Sequence, residues 1–454
     1  MAQKEFILKR TDNQSKFNAL REAFSTFTFE RQTVSTADGA LSLAFDFSLD
    51  DRYHFRPTLV IPARPFFHWE AVPAEQLEAL AFQIGMTELV SYWKIACPKR
   101  VVVKPFALTE TQKAFWKKLY YNGLGEFLYL NNIMVSEADL MEMESVGERP
   151  FVKVESPLEE KVLVPVGGGK DSVVTLECLR DAMPVIPLIV NPRGATLNCV
   201  ETAGYGENDF IVINRTLDPT MLQLNAEGYL NGHTPFSALL AFISVLVAFG
   251  SGSRYIALSN ENSANESTVP GTNINHQYSK SIEFERDFRQ YVAENINDNV
   301  QYFSFLRPLS ELQIASLFAQ CEAYHPVFRS CNVGSKTDSW CGHCPKCLFT
   351  WIILSPFLSR EKLTAIFGKD LMADTSLQPI LEELNGTAAE KPFECVGTVE
   401  EVRACLAATK EAPECSLSLS KGEGPTVDEI LRRFNDEHFL PEHFVQILKQ
   451  RLHV

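Results

Sequence analysis

Lys161–Val166 (KVLVPV) is an unbroken apolar strand that runs directly into Gly167-Gly168-Gly169-Lys170-Asp171-Ser172 and then into a helical stretch, Val173–Ala182. Glycines let a backbone come close to a bound group. A helix N-terminus offers free N–H groups at the positive end of its dipole, so the arrangement suits an anion. The spacing excludes two well-known loops. One needs two glycines five apart before Lys-Ser/Thr, and the dinucleotide fingerprint needs G-x-G-x-x-G. Strand text recurs downstream at 185–190 (VIPLIV), 210–214 (FIVIN) and 254–258 (RYIAL), with an apolar helix over 235–249. Strands that alternate with helices predict a parallel sheet covered on both faces.

The 454 residues are enough for about three domains at roughly 150 residues each. Residues 1–155 read as an N-terminal α+β domain. Ala40–Leu49 alternates apolar and polar as a half-buried strand does, and Thr58–Ile61 is a second short strand. Ala74–Ile95 has helical periodicity. Thr109–Tyr121 reads as another helix, with Gln112, Lys113 and Lys117 expected on its exposed side. Residues 156–360 carry the α/β pattern, and 361–454 read as a mainly helical end. Within that end, 410–425 is a polar, Gly/Pro-punctuated link and 426–454 a terminal helical piece.

Charge and hydropathy exclude some roles. Lys and Arg number 42 against 57 Asp and Glu, a net charge of −15, which argues against nucleic-acid or anionic-membrane partners. The longest apolar run, 235–250, is short for a bilayer and rich in Ser and Ala, so it reads as a buried helix. The first 16 residues hold no long apolar stretch, so no signal peptide is expected, and the expected location is cytoplasmic.

Of eleven cysteines, four crowd into Cys331, Cys341, Cys344 and Cys347. Three of them stand at Cys-x2-Cys spacing, which lets two sulfurs reach one ion, and Gly342 eases the turn. Outside an oxidising compartment this clustering predicts a metal rather than disulfides. Zinc and an iron–sulfur centre are both open, and His343 inside the knuckle reads as a bystander.

The glycine loop resembles the PP-loop, S-G-G-x-D-S, of the ATP pyrophosphatases, which cleave ATP between the α and β phosphates. Gly168, Gly169, Asp171 and Ser172 match it. Lys170 takes the variable place, and Gly167 stands where Ser is usual, which removes one hydroxyl. The resemblance implies that Val166, Gly167, Gly168, Gly169, Lys170, Asp171 and Ser172 hold ATP. Ser172 would donate to the pyrophosphate, Asp171 would orient the loop or help hold Mg²⁺, and Lys170 would neutralise phosphate charge. Asn191 and Asn260 are further nucleotide candidates because they follow strands, where ligands bind in open α/β sheets. The SNENSANES stretch there also offers Glu261, Asn262 and Asn265 to a substrate, and Arg56 and Arg193 are candidates for an anionic one. A PP-loop followed by a four-cysteine knuckle is shared with the 7-cyano-7-deazaguanine synthases, over about 161–350 only.

Taken end to end, the sequence resembles the UDP-N-acetyl-α-D-muramoyl-L-alanyl-L-glutamate epimerases of bacterial peptidoglycan synthesis. The segments that carry this are LDDRYHFRPT (49–58), IGMTELVSYWK (84–94), YYNGLGEFLYLNN (120–132), VPVGGGKDS (164–172), SNENSAN (259–265), NHQYSKSIEFERDF (275–288), WCGHCPKC (340–347) and FECVGT (393–398). The resemblance implies a HUP-like central parallel sheet with a zinc knuckle. It also implies inversion of a terminal L-Glu to D-Glu with ATP and Mg²⁺, giving AMP and diphosphate. A free carboxylate makes its α C–H very weakly acidic, and adenylation removes that charge before a base takes the proton. His233, His276, Tyr278 and Lys280 are the candidates for proton transfer, and Lys280 also for holding substrate anions. The implied partners are the UDP-muramoyl dipeptide and, functionally, the ligase that adds L-Glu. Two readings stand beside this one: another carboxylate-adenylating enzyme, such as a nitrile synthase or an amide ligase, and a non-catalytic nucleotide-binding scaffold.

Overall fold

The computed structural model describes residues 10–269, 271–409, 416–418 and 424–452. They form two compact units that interleave along the chain. Unit 1 takes the described residues to Lys161 with Ile211–Ile256 and Gln277–Tyr302. Unit 2 takes Val162–Phe210, Ala257–His276 and the described residues from Phe303 on. The consecutive segments 1–155, 156–360 and 361–454 do not follow this interleaving. Its physical cause is strand pairing: Ile211–Thr216 pairs antiparallel with Thr58–Ile61 and so ties a middle stretch of chain to the N-terminal sheet.

Unit 1 is built on a mixed sheet. Thr26–Ala37 and Ala40–Leu49 form a long antiparallel hairpin across Asp38-Gly39, both at positive φ (50° and 76°). This is the two-residue turn that Asp-Gly favours. Along Ala40–Leu49 buried and half-buried residues alternate, as the sequence pattern predicts. Thr58–Ile61 extends the sheet antiparallel on one side, and Arg100–Val103 and Glu142–Ser145 extend it in parallel on the other. Two helices, Ala74–Trp93 and Phe236–Ser251, are buried nearly all round and pack on each other, the second being almost wholly apolar. That accounts for the apolar run at 235–250 as a buried helix. Gly250 lies in it because a Cβ there would sit 2.2 Å from the Trp69 ring.

The helix Glu110–Gly123 corrects one expectation. Gln112 is buried rather than exposed, because it is the N3 residue of a capping box with Thr109 and also donates to Asn295 Oδ1 at 2.7 Å. A capping glutamine points back along its own helix, so helical periodicity alone misplaces it. Lys113 and Lys117 are half-buried.

Unit 2 has the parallel pairing expected of α/β text. Val162–Pro165 pairs in parallel with Val185–Leu188, and the glycine loop joins the first strand to the helix Lys170–Leu179. That helix packs against Glu311–Ala319, which packs in turn against Pro345–Leu354, the helix that follows the cysteines. Beyond residue 360 the described elements are helical, among them Arg360–Phe367, Gln378–Leu384, Val399–Ala408 and Glu442–Leu452. Most of the 410–425 link, with the first nine residues and the last two, lies outside the described residues. No helix among the described residues is long and apolar enough to cross a membrane.

Candidate functional site

In unit 2 the strand closes on Val166, which is buried and donates its N–H to the Leu188 carbonyl at 2.8 Å. Gly167 is exposed, and nothing lies within 4 Å of where its Cβ would be. Gly168 has φ +79°, and a Cβ there would stand 2.9 Å from the Ala195–Thr196 backbone. Only glycine meets both demands. Gly169 is the N-cap residue of Lys170–Leu179, so the first N–H groups of the helix open next to Gly167. Ser172 Oγ donates to the Gly169 carbonyl (3.0 Å), and Thr175 Oγ1 shares a hydrogen bond with Ser259 Oγ (2.8 Å).

Lys170 is the electrostatic centre of this loop. Its side chain is 3% exposed, and Nζ donates to Asp171 Oδ1 and to Glu311 Oε2. Burial alone would lower this amine. The Asp171 and Glu311 carboxylates overcome that and hold it above its ordinary value. Glu311 opens the helix Glu311–Ala319 behind the N-cap Ser310, where the dipole favours a carboxylate. Burial still pushes its carboxyl well up. Lys170 pulls it down, while Asp171, Glu261 and Glu401 add to the upward push. Glu401 fixes the same helix start, accepting from Leu312 N–H at 3.1 Å.

The polar stretch after Leu258 is more structural than its composition suggests. Asn260 is buried and donates to Ser304 Oγ (3.0 Å). Glu261 is 3% exposed and accepts from Ser263. Arg307, fully buried, donates to the Glu261 carbonyl (2.7 Å) and to Ser304 Oγ. Asn262 and Asn265 are exposed, and Asn262 accepts from Asn435 at 2.8 Å. Asn191 is exposed at φ 52°, a left-handed conformation that asparagine tolerates. Arg193 donates to Ser335 Oγ, and His276 is half-buried with its N–H on Thr268 Oγ1 (3.0 Å). Sequence reasoning missed Glu311, Glu401 and Arg307. The one signal for the first was its place directly after Ser310 in a Ser-x-x-Gln capping box.

The four cysteine sulfurs are also in unit 2. Cys331 and Cys344 are 3.8 Å apart, Cys341 and Cys347 3.7 Å, and Cys344 and Cys347 3.5 Å. A tetrahedral ion with sulfurs at 2.3 Å needs edges of roughly 3.8 Å, so the set fits one metal ion. Gly334 N–H and Gly342 N–H donate to Cys331 and Cys347. His343 turns Nδ1 to the Cys341 carbonyl (2.7 Å).

Unit 1 holds the remaining candidates. His233 Nδ1 lies 3.6 Å from Glu126 Oε2, with side-chain exposures of 26% and 8%. The turn before it is anchored twice: Lys94 Nζ donates to the Gly232 carbonyl, and Asn131 Nδ2 to that of Asn231 (3.2 Å). A Cβ on Gly232 would press on the Phe127 ring at 2.9 Å. Burial pushes the Tyr278 phenol well up, with Glu283, Asp287 and Glu137 adding to it. Lys280 ends the same short Tyr278–Lys280 turn. Arg56 is bound to Asp46, which also holds Arg31 at 2.7 Å. The 580 Å³ cavity that Arg56 lines carries the acids Glu30, Asp46 and Asp218. Those acids offset its charge toward an anion.

Two family models match the chain: the MurL N-terminal domain over residues 18–305 and the MurL C-terminal domain over 327–421. The chain is 37% identical over 388 residues to UDP-N-acetyl-alpha-D-muramoyl-L-alanyl-L-glutamate epimerase of a Micromonospora species, covering 83% of this chain and 84% of that one. The protein of the same name from Salinispora tropica is 37% identical over 389 residues, with 83% and 82% covered. That from Xanthomonas oryzae pv. oryzae is 34% identical over 397 residues, with 85% and 86% covered.

Proposed function

This chain belongs to the MurL family, and from that membership we propose that it is an isomerase that converts the terminal L-Glu of UDP-N-acetyl-α-D-muramoyl-L-alanyl-L-glutamate to D-Glu. The observation that carries the reading is similarity along most of the chain to three proteins of that name. The pathway it serves is peptidoglycan precursor synthesis, next to a ligase that supplies the L-Glu, and the reading places it in the cytoplasm with a small-molecule substrate.

ATP is the co-substrate in this reading, and the glycine loop is its PP-loop in a HUP-like sheet. Supporting this are the open backbone at Gly167, the helix N-terminus behind it and a buried Lys170 kept charged. A glutamate carboxylate oxygen attacks the α-phosphorus and diphosphate leaves. The loop N–H groups and Ser172 hold the phosphates. Asp171, a third exposed, is the residue to hold Mg²⁺, which would shield the phosphate charge. The acyl group so formed accepts electron density, and its α-proton becomes removable. A proton then returns on the opposite face, and water cleaves the anhydride to give AMP. Zinc is the metal we assign to the knuckle as a structural ion, because the sulfur spacing suits a single tetrahedral centre.

For proton transfer we assign His233. The carboxylate of Glu126 faces Nδ1, an arrangement that orients the ring and supports it as a base on one face of the α-carbon. Tyr278, with its phenol pushed up, is a poor base. His276 and Lys280 remain candidates for the opposite face, and Arg193, Asn191, Asn260, Glu261, Asn262 and Asn265 for ligand contacts. Arg56 is the weakest of the substrate candidates.

The test is incubation with the dipeptide substrate, ATP and Mg²⁺ in D₂O, following AMP and deuterium at the glutamate α-carbon. AMP with deuterated D-Glu is the expected result. AMP without deuterium would assign the ATP chemistry to another acyl acceptor. No AMP from a folded protein would overturn the substrate assignment.

A further inference from the structure

The chain that enters the cysteine knuckle lies on the glycine loop of the same unit. Arg329 N–H donates to the Gly168 carbonyl at 2.7 Å. Ser330 Oγ is 2.8 Å from the point where a Cβ on Gly169 would stand. The next residue is Cys331, the first sulfur of the knuckle, and Gly334 N–H donates to it at 3.2 Å. Beyond it, Ser335 Oγ accepts from Arg193. The Asp338 carboxylate packs against Gly194, where a Cβ would be 2.6 Å from Asp338 Cγ, and the Asp338 carbonyl accepts from Arg329 Nε at 3.3 Å. Residues 329–338 thus touch the glycine loop at one end and the start of the helix Gly194–Thr202 at the other.

The Ser330 hydroxyl is unusual in this setting. It is half-buried, and among the described residues it makes no hydrogen bond within the chain. It sits against the N-cap residue of Lys170–Leu179, and close by in the loop Gly167 carries no side chain and faces open space. A hydroxyl so placed offers a donor to whatever the helix N-terminus binds.

We propose that Ser330 is a phosphate-binding residue of the glycine-loop site, and that a metal on Cys331, Cys341, Cys344 and Cys347 holds it in place. The proposal rests on the nucleotide reading above. Ser330 is fixed in space by its neighbours on both sides: the Arg329 backbone on Gly168, and Cys331 in the sulfur set. Without the ion, one of these two anchors goes. The knuckle is then part of the nucleotide site, beyond stapling the helix that follows it.

The test is calorimetric binding of a non-hydrolysable α,β-methylene analogue of ATP with Mg²⁺ to the full chain. Ser330→Ala is expected to weaken binding about tenfold, the lower end for a hydrogen bond to a charged group, and Ser330→Thr is expected to retain most of it. Removing the metal with a chelator, with far-UV circular dichroism unchanged, should weaken binding at least as much. Ser330→Ala should then add nothing further. If Ser330→Ala binds as tightly as the parent while Lys170→Met does not bind, the role of Ser330 is refuted and the nucleotide reading stands. If chelated protein binds as tightly as the parent, the dependence on the metal is refuted. If the parent itself binds no analogue, the nucleotide reading fails and this inference with it.

Discussion

Two lysines are buried almost equally, one in each unit, and their amines shift in opposite net directions. Lys94 in unit 1 is 6% exposed and meets a carbonyl, that of Gly232. Burial lowers its amine to about 8, against weaker upward pulls from Cys97 and Glu126. Lys170 in unit 2 meets two carboxylates and stays above its ordinary value despite the same desolvation. A dipole at contact distance does not replace a full charge once water is gone. Lys170 is therefore a permanent cation set at the end of a glycine loop. Lys94 titrates near neutrality beneath the turn that carries His233.

The largest effect follows from the charged lysine. Lys170→Met should reduce AMP formation by about 10³-fold, since it removes a fixed positive charge from the proposed phosphate site. It should also cost about 3–5 kcal/mol of stability, because Glu311 is left buried without its partner. Adding Glu311→Leu separates the two effects. In the double variant, urea unfolding should recover most of the lost stability while AMP formation stays down. If the double variant recovers activity as well, Lys170 is only a structural ion-pair member and the contrast with Lys94 has no functional content.

The next effect lies in the dyad. Glu126→Gln should slow deuterium incorporation at the glutamate α-carbon about tenfold, part of the 10²–10⁴ that a general base contributes. AMP release should continue, because the proposed adenylation step does not use this pair. Equal loss of both signals would mean that Glu126 supports the fold and not the histidine.

What was legible in the sequence was local. A strand, three glycines and a helix specify their own geometry, so the loop stood out, as did the alternation of Ala40–Leu49 and the Cys-x2-Cys spacing. The charge partners were not legible. Glu311 reaches Lys170 across 141 positions, and Glu126, in the helix Gly125–Leu130, meets His233 in the turn ahead of Phe236–Ser251. Neither carries a pattern of its own, because a buried ion pair depends on which surfaces meet and not on periodicity. The internal bonds of the SNENSANES stretch were not legible for the same reason. Its polar residues read as ligand contacts, and the structure adds that Asn260 donates to Ser304 and Glu261 accepts from Ser263. The interleaving of the two units was hidden too, since it depends on long-range pairings such as that of Ile211–Thr216 with Thr58–Ile61.

The smallest effect tests the other lysine. Below pH 8 both folded and unfolded chains carry a proton on Lys94, and the folded state bears the full penalty of burying the charge. Between about 8 and 10.5 the unfolded chain holds the proton and the folded chain has released it. Stability therefore rises with pH across that window and levels off above it. The interval corresponds to about 3 kcal/mol as an upper figure. Lys94→Met has no group to titrate, so the stability difference between parent and variant should grow in the parent's favour from pH 8 to 10.5. At pH 7 the variant should be no less stable than about 1 kcal/mol below the parent, because the lost bond to Gly232 is offset by relief of the buried charge. The variant should also exchange the α-proton a few-fold more slowly below pH 8, since the turn before His233 loses one of its two anchors. Urea unfolding at several pH values reads the first effect and deuterium incorporation the second. A difference that stays flat with pH would mean that Lys94 keeps its proton as Lys170 does, and that a carbonyl is partner enough.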